Sequence, residues 1–241
     1  MENKKTEQKE INIGQKTISK NDNTKSSKKT IFIEIFVFAL SLCLVFLLTY
    51  ITSFNKTTEL WKFRLFSILI YVAIILVSIL SLLFTKRIDL LKISRKHLFM
   101  QILIGFILAF VFLLFIGIIP HLVFNENSSS SVFEINEFIY KAFFYVFFVA
   151  VGEELFFRCY LMNQLVVWLK RASFLAPLIS GIIFGLFHLI NGNFVQVIIT
   201  SLLGVTFGYV KFYFKNCSNL SVILGHGLYD LGLYAIGFIG I

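Results

Sequence analysis

The chain has 241 residues, 58% of them hydrophobic and only 15% charged, with 30 Phe; its mean hydropathy of +0.85 lies far from the balance of a soluble domain. Apolar runs of the length that crosses a hydrocarbon core of roughly 30 Å recur along it, which excludes a soluble globular protein and marks a multi-pass membrane protein. The net charge of +9 comes from Lys and Arg set between those runs, a pattern of membrane topology and contact with anionic lipid, and not of nucleic-acid binding.

Residues 1–30 are rich in Lys, Asn, Thr and Ser and lack aromatic residues, so they cannot bury enough surface to offset their ordering entropy; a disordered basic cytoplasmic tail is expected. Residues 31–241 form the membrane domain, an all-α polytopic bundle of about seven spans. The first three are drawn at Ile31–Ser53, Leu65–Thr85 and Leu98–Ile119. The fourth begins near Glu137, the fifth covers Leu175–Ile190, the sixth Val195–Phe214 and the seventh Leu220–Ile239. Eight Lys in the tail and five basic residues in "KRIDLLKISRKH" assign those segments, and the N-terminus, to the cytoplasm. Lys170, Arg171, Lys211 and Lys215 agree, whereas Lys56, Lys62 and Arg64 run against the rule. Cys43, Cys159 and Cys217 have no metal or redox spacing and are expected to pack as small apolar residues.

An ionisable side chain inside a span costs about 2.5 to 3.5 kcal/mol on insertion scales, so it faces the bundle interior and has a partner. The exceptions are Glu153, Glu154 and Arg158 in span four, His188 in span five, and His226 with Asp230 in span seven. Glu154 and Arg158 stand four apart on one helix face and can neutralise each other. Glu153 points about 100° away from Glu154 and needs a partner from another helix. Taken by itself, "EELFFR" also reads as a structural ion pair with Glu153 reaching to water. The two intramembrane histidines shift that reading toward a site.

A carboxylate in a dry, apolar surround is a stronger base than one in water, which suits Glu153 to activate a held water. His188 would fix the same water, and His226 with a polar neighbour would donate to the oxygen that turns negative when an amide is attacked. No side-chain nucleophile is needed. Depth raises a difficulty: Glu153 falls ~24 Å below one face and His188 ~20 Å above the other at 1.5 Å per residue. Either the fourth helix runs on past Arg158 toward Trp168, or the fifth begins later than drawn.

The motifs "EELFFR" (Glu153–Arg158), "FGLFH" (Phe184–His188) and "HGLYD" (His226–Asp230), in this order on separate apolar spans, resemble the CAAX protease and bacteriocin-processing family, also called Abi. The resemblance covers about residues 137–241. It implies an intramembrane endopeptidase with a polar cavity lined by spans four, five and seven. It also implies Glu153 and His188 on the water, His226 and Asp230 at the oxyanion, and structural support from Glu154, Arg158 and Phe184. Asp230 stands where the family often has Asn, and an ionised Asp would repel an oxyanion, so its expected task is to orient His226. A glutamate-activated water is the expected mechanism. A divalent ion such as Zn, held by Glu153, His188 and His226, is the other arrangement these residues allow, although HExxH is absent.

The expected partner is a hydrophobic peptide or membrane-protein substrate. The Lys, Asn and Ile bias fits a low-GC bacterium without prenylated substrates, so a leader, pheromone-precursor or bacteriocin-type peptide is expected. The rivals are a catalytically idle scaffold or bacteriocin self-immunity protein, and a proton-coupled transporter. Decayed motifs would mark the first, and repeated halves with broken helices the second; neither feature is in the sequence.

Overall fold

A computed structural model describes residues 28–52, 59–92, 97–120 and 134–237 of the chain. The N-terminal tail lies outside the described residues except for Lys28–Thr30, which open the first helix. Seven helices follow one another: α1 Lys28–Thr52, α2 Leu60–Phe84, α3 Leu98–Ile118, α4 over residues 135–169, α5 Ala176–Phe187, α6 Phe194–Tyr213 and α7 Asn219–Ile236. Among the described residues there is no strand. In a bilayer every backbone polar group must be satisfied within its own segment, which these apolar sequences achieve as helices. Several of their hydroxyls bond back along the same helix, as Ser78 Oγ donates to the Ile74 carbonyl at 2.8 Å and Thr49 Oγ1 to that of Val45 at 3.0 Å.

Among the described residues five stretches are long and apolar enough to cross a membrane, at Thr30–Thr52, Leu60–Phe84, Leu98–Ile118, Ile135–Ile190 and Phe194–Tyr213. The seven spans drawn from sequence map onto these with two differences. The 56-residue fourth stretch would extend about 84 Å, far beyond one ~30 Å core. It folds back through the turn Lys170–Leu175, where Lys170 has φ 49 and Ala172 leaves helical geometry, with Pro177 in the first turn of α5. It therefore holds both α4 and α5. The other difference is α7, whose 18 residues suffice in length but whose Asn219, His226 and Asp230 dilute its apolar character.

The central pillar is α4. It runs unbroken for about 50 Å through α-helical Ile135–Phe144, Ala150–Glu154 and Met162–Leu169, joined by π-helical turns at Tyr145–Val149 and Leu155–Leu161. Its residues Phe156–Leu161 are all buried. Around it, α7 lies on α3 where Gly105 and Gly225 meet: a Cβ on Gly105 would stand 2.9 Å from Leu224 Cβ, and one on Gly225 3.3 Å from the Gly105 carbonyl. Such small residues let membrane helices approach closely. Phe32, Phe99, Phe110 and Leu69 form part of the outward apolar band.

The depth difficulty resolves through the first of its two routes, since α4 continues past Arg158 to Leu169. Meanwhile α5 and its closing turn His188–Ile190 extend only about 24 Å, less than a hydrocarbon core. His188 therefore sits at a helix end within the membrane layer.

Candidate active site

Glu153 and Glu154 come from the short α-helical piece of α4 between its two π turns, a type of irregularity that recurs at functional sites. Both are buried, with Glu153 at 2% exposure. On Glu153 the two oxygens differ. Oε1 accepts from the Tyr71 hydroxyl of α2 at 3.1 Å. Oε2 is buried without a hydrogen-bond partner, 4.0 Å from His188 Nε2 and 3.7 Å from His226 Nε2. An oxygen about 2.8 Å from both Glu153 Oε2 and His188 Nε2 would subtend about 90° between them, so a water can bridge the two.

The histidines are held from behind. His188 Nδ1 stands 3.0 Å from the Phe184 carbonyl one turn back, a bond that helix geometry provides between residues four apart and that turns Nε2 toward Glu153. His226 Nδ1 lies 2.8 Å from Glu154 Oε1, and its Nε2 is also 3.4 Å from Asp230 Oδ2. This imidazole thus faces three carboxylates. The shortest of its contacts is to Glu154, and Asp230 lies beside the same nitrogen that faces Glu153.

Glu154 is shared. Besides His226, its Oε1 stands 3.0 Å from Arg158 Nη1, so the pair drawn from the i,i+4 spacing extends to a third group. The ion pair is close but not aligned, since none of the Arg158 side-chain nitrogens makes a directed hydrogen bond. The guanidinium lies instead on the Phe184 ring, 4.1 Å from its centroid, a stacked geometry that favours Arg. Phe184 in turn packs edge-on to both imidazoles, with centroids 4.7 Å from His188 and 5.8 Å from His226. All seven residues singled out from sequence therefore form one contiguous group.

The group has an open edge. The side chains of Asp230 and His188 are 23% and 19% exposed, against 5% for His226 and 2% for Glu153.

Two participants escaped the sequence reading. Tyr71 sits in an unbroken apolar run where a tyrosine is ordinary. Lys211, counted as a loop charge, lies in the last turn of α6 and turns inward, donating to the Arg158 carbonyl at 3.0 Å and to the Asn219 side chain. Among the described residues no group of three or more His, Cys, Asp or Glu has the geometry to hold a metal ion.

The described helical bundle buries a carboxylate against two imidazoles, with the Glu154–Arg158 ion pair behind them, an arrangement suited to activating a water for hydrolysis. Residues 135–232, the part that carries every one of these groups except Tyr71, match the family model described as Type II CAAX prenyl endopeptidase Rce1-like. No curated protein and no solved structure matches the chain. The activity that the description of this family names is that of an endopeptidase.

Proposed function

We propose that the protein hydrolyses a peptide bond within the membrane by a water that Glu153 activates. Glu153 Oε2 takes a proton from the water while His188 Nε2 orients it, and the hydroxide forms a C–O bond to the amide carbon. His226, as an imidazolium held by Glu154 and Asp230, donates to the resulting oxyanion. Glu153 then passes its proton to the amide nitrogen, the C–N bond breaks, and an acid and an amine leave. The observation that carries this reading is the buried Oε2 of Glu153, unpartnered and within 4.0 Å of two imidazole nitrogens.

The open edge beside Asp230 and His188 favours an extended apolar segment that arrives from the bilayer, such as a leader, pheromone-precursor or bacteriocin-type peptide. The basic segments favour an N-terminus on the cytoplasmic side of a cell membrane with anionic lipid. The test is to incubate purified protein with candidate precursor peptides and read the products by mass spectrometry, with and without a chelator. The expected result is one new cleavage, present in both conditions and absent in Glu153→Gln. Cleavage that persists in Glu153→Gln overturns the mechanism. A folded protein that cuts no candidate favours the scaffold or immunity role.

A further inference from the structure

The part of the chain that matches the endopeptidase family begins at residue 135, yet one contact to Glu153 comes from α2, far upstream. Tyr71 donates to Glu153 Oε1 at 3.1 Å, and its ring reaches that point because residue 152 is Gly: a Cβ there would stand 3.3 Å from Tyr71 Cδ1 and 3.6 Å from Ile74 Cγ2. The register of α2 along α4 is fixed at two further places. At one end Arg64 pairs with Glu137 and stacks on Tyr140, 4.3 Å from the ring centroid. At the other Arg87 Nη1 donates to the Asn163 carbonyl at 3.2 Å. Tyr71 also packs edge-on against Phe144, with centroids 5.5 Å apart, so its ring has little freedom. A carboxylate with one oxygen bound to a fixed hydroxyl cannot rotate freely about its last bond, and its other oxygen keeps one direction.

We propose that Tyr71 is a positioning residue of the peptidase site: by holding Glu153 Oε1 it aims Oε2 at the gap between His188 and His226. The second helix is then part of the catalytic apparatus, outside the family-matched segment. This inference rests on the peptidase reading above and deepens it.

The probe is a quenched fluorogenic peptide with an apolar core of about 20 residues, assayed with full-length protein in detergent. Wild type, Glu153→Gln, Tyr71→Phe, Glu153→Asp and the pair Tyr71→Phe/Glu153→Asp are compared, with melting by circular dichroism confirming that each is folded. Tyr71→Phe is expected to lower kcat about 10-fold or more, the effect of losing a hydrogen bond to a charged group, with KM within about twofold. In the Glu153→Asp background the shorter carboxylate no longer reaches the hydroxyl, and Tyr71→Phe is expected to change kcat less than about twofold. A kcat for Tyr71→Phe within twofold of wild type overturns the proposal. So does an equal loss in both backgrounds, or a change confined to KM. Cleavage by Glu153→Gln at the wild-type rate is a separate outcome: it removes the peptidase reading itself, and the role of Tyr71 with it.

Discussion

Arg158 offers the sharpest test of the energetics beneath the site. Its side chain is 1% exposed and that of Glu154 is fully buried, so neither charge is screened by water. In Arg158→Met an apolar chain of similar length fills the space, while Glu154 keeps His226 as its one close polar partner. Breaking a buried pair by removing one partner costs about 3–5 kcal/mol. A desolvated guanidinium over an aromatic ring is worth about 2 kcal/mol, and the contact with Phe184 is lost in the same substitution. The two losses overlap, so about 3–5 kcal/mol is expected in total. Glu154→Gln should cost a comparable amount by stranding the guanidinium. The double variant Arg158→Met/Glu154→Gln strands neither and should fall well short of the sum, with a coupling of about 2–3 kcal/mol. Reversible unfolding of each variant in mixed micelles, followed by circular dichroism, reads these differences. Single costs below about 1 kcal/mol, the scale of an exposed pair, or strict additivity of the two substitutions, would refute the argument.

Other consequences are within reach of the same preparations. Glu153→Gln should lower kcat for any cleaved peptide by about 10²–10⁴-fold, the contribution of a positioned general base, while the far-UV spectrum stays helical. His188→Ala should show a loss of the same order, since the water then has no second holder; retained cleavage in both variants sinks the shared-water mechanism. A chelator should leave the rate unchanged, and its restoration by added Zn after dialysis would contradict that. Gly227→Ala should destabilise by about 1–3 kcal/mol through overpacking, because the added Cβ would stand 2.7 Å from Val146 Cα. Since Gly227 follows His226, activity should fall as well, and a thermal melt beside the peptidase assay reads both.

How much of this was legible in the sequence differs between the fold and the site. Apolar runs gave the helices to within a few residues, since bilayer thickness fixes length and backbone satisfaction fixes type. The ends that slipped are those where the rule of thumb has no purchase. α4 overshoots the bilayer because Met162–Leu169 remain helical, with Gln164 and Trp168 donating to Glu34 of α1 at 3.1 and 3.2 Å. The intramembrane polar residues pointed to one another because an isolated charge in hydrocarbon is so costly, and Glu153, His188, His226 and Asp230 do meet. Which of them pair was not legible. Spacing along one helix suggested Glu154 with Arg158, but spacing carries no information about His226, whose nearest carboxylate oxygen is that of Glu154. Tyr71 was illegible for a different reason: a hydroxyl on an aromatic ring is unremarkable in an apolar span, and only the packing of α2 on Gly152 gives it a carboxylate to reach.

The two π turns of α4 carry a consequence for how this segment can vary. Each π turn amounts to one residue more than an α-helix needs, and it rotates everything beyond it by about 100° relative to an uninterrupted ladder. Glu153 and Glu154 stand between two such offsets. Their angular phase is thus uncoupled from both ends of the helix, from the Glu137 end that meets Arg64 and from the Trp168 end that meets Glu34. Single deletions within 145–149 or 155–161 would let the helix relax to regular geometry with its length and the phase of both anchored ends almost intact, whereas a single deletion in a regular piece would swing one anchored end by about 100° against the glutamates. The segment tolerates a change in residue number inside its π turns far better than in the regular pieces beside them.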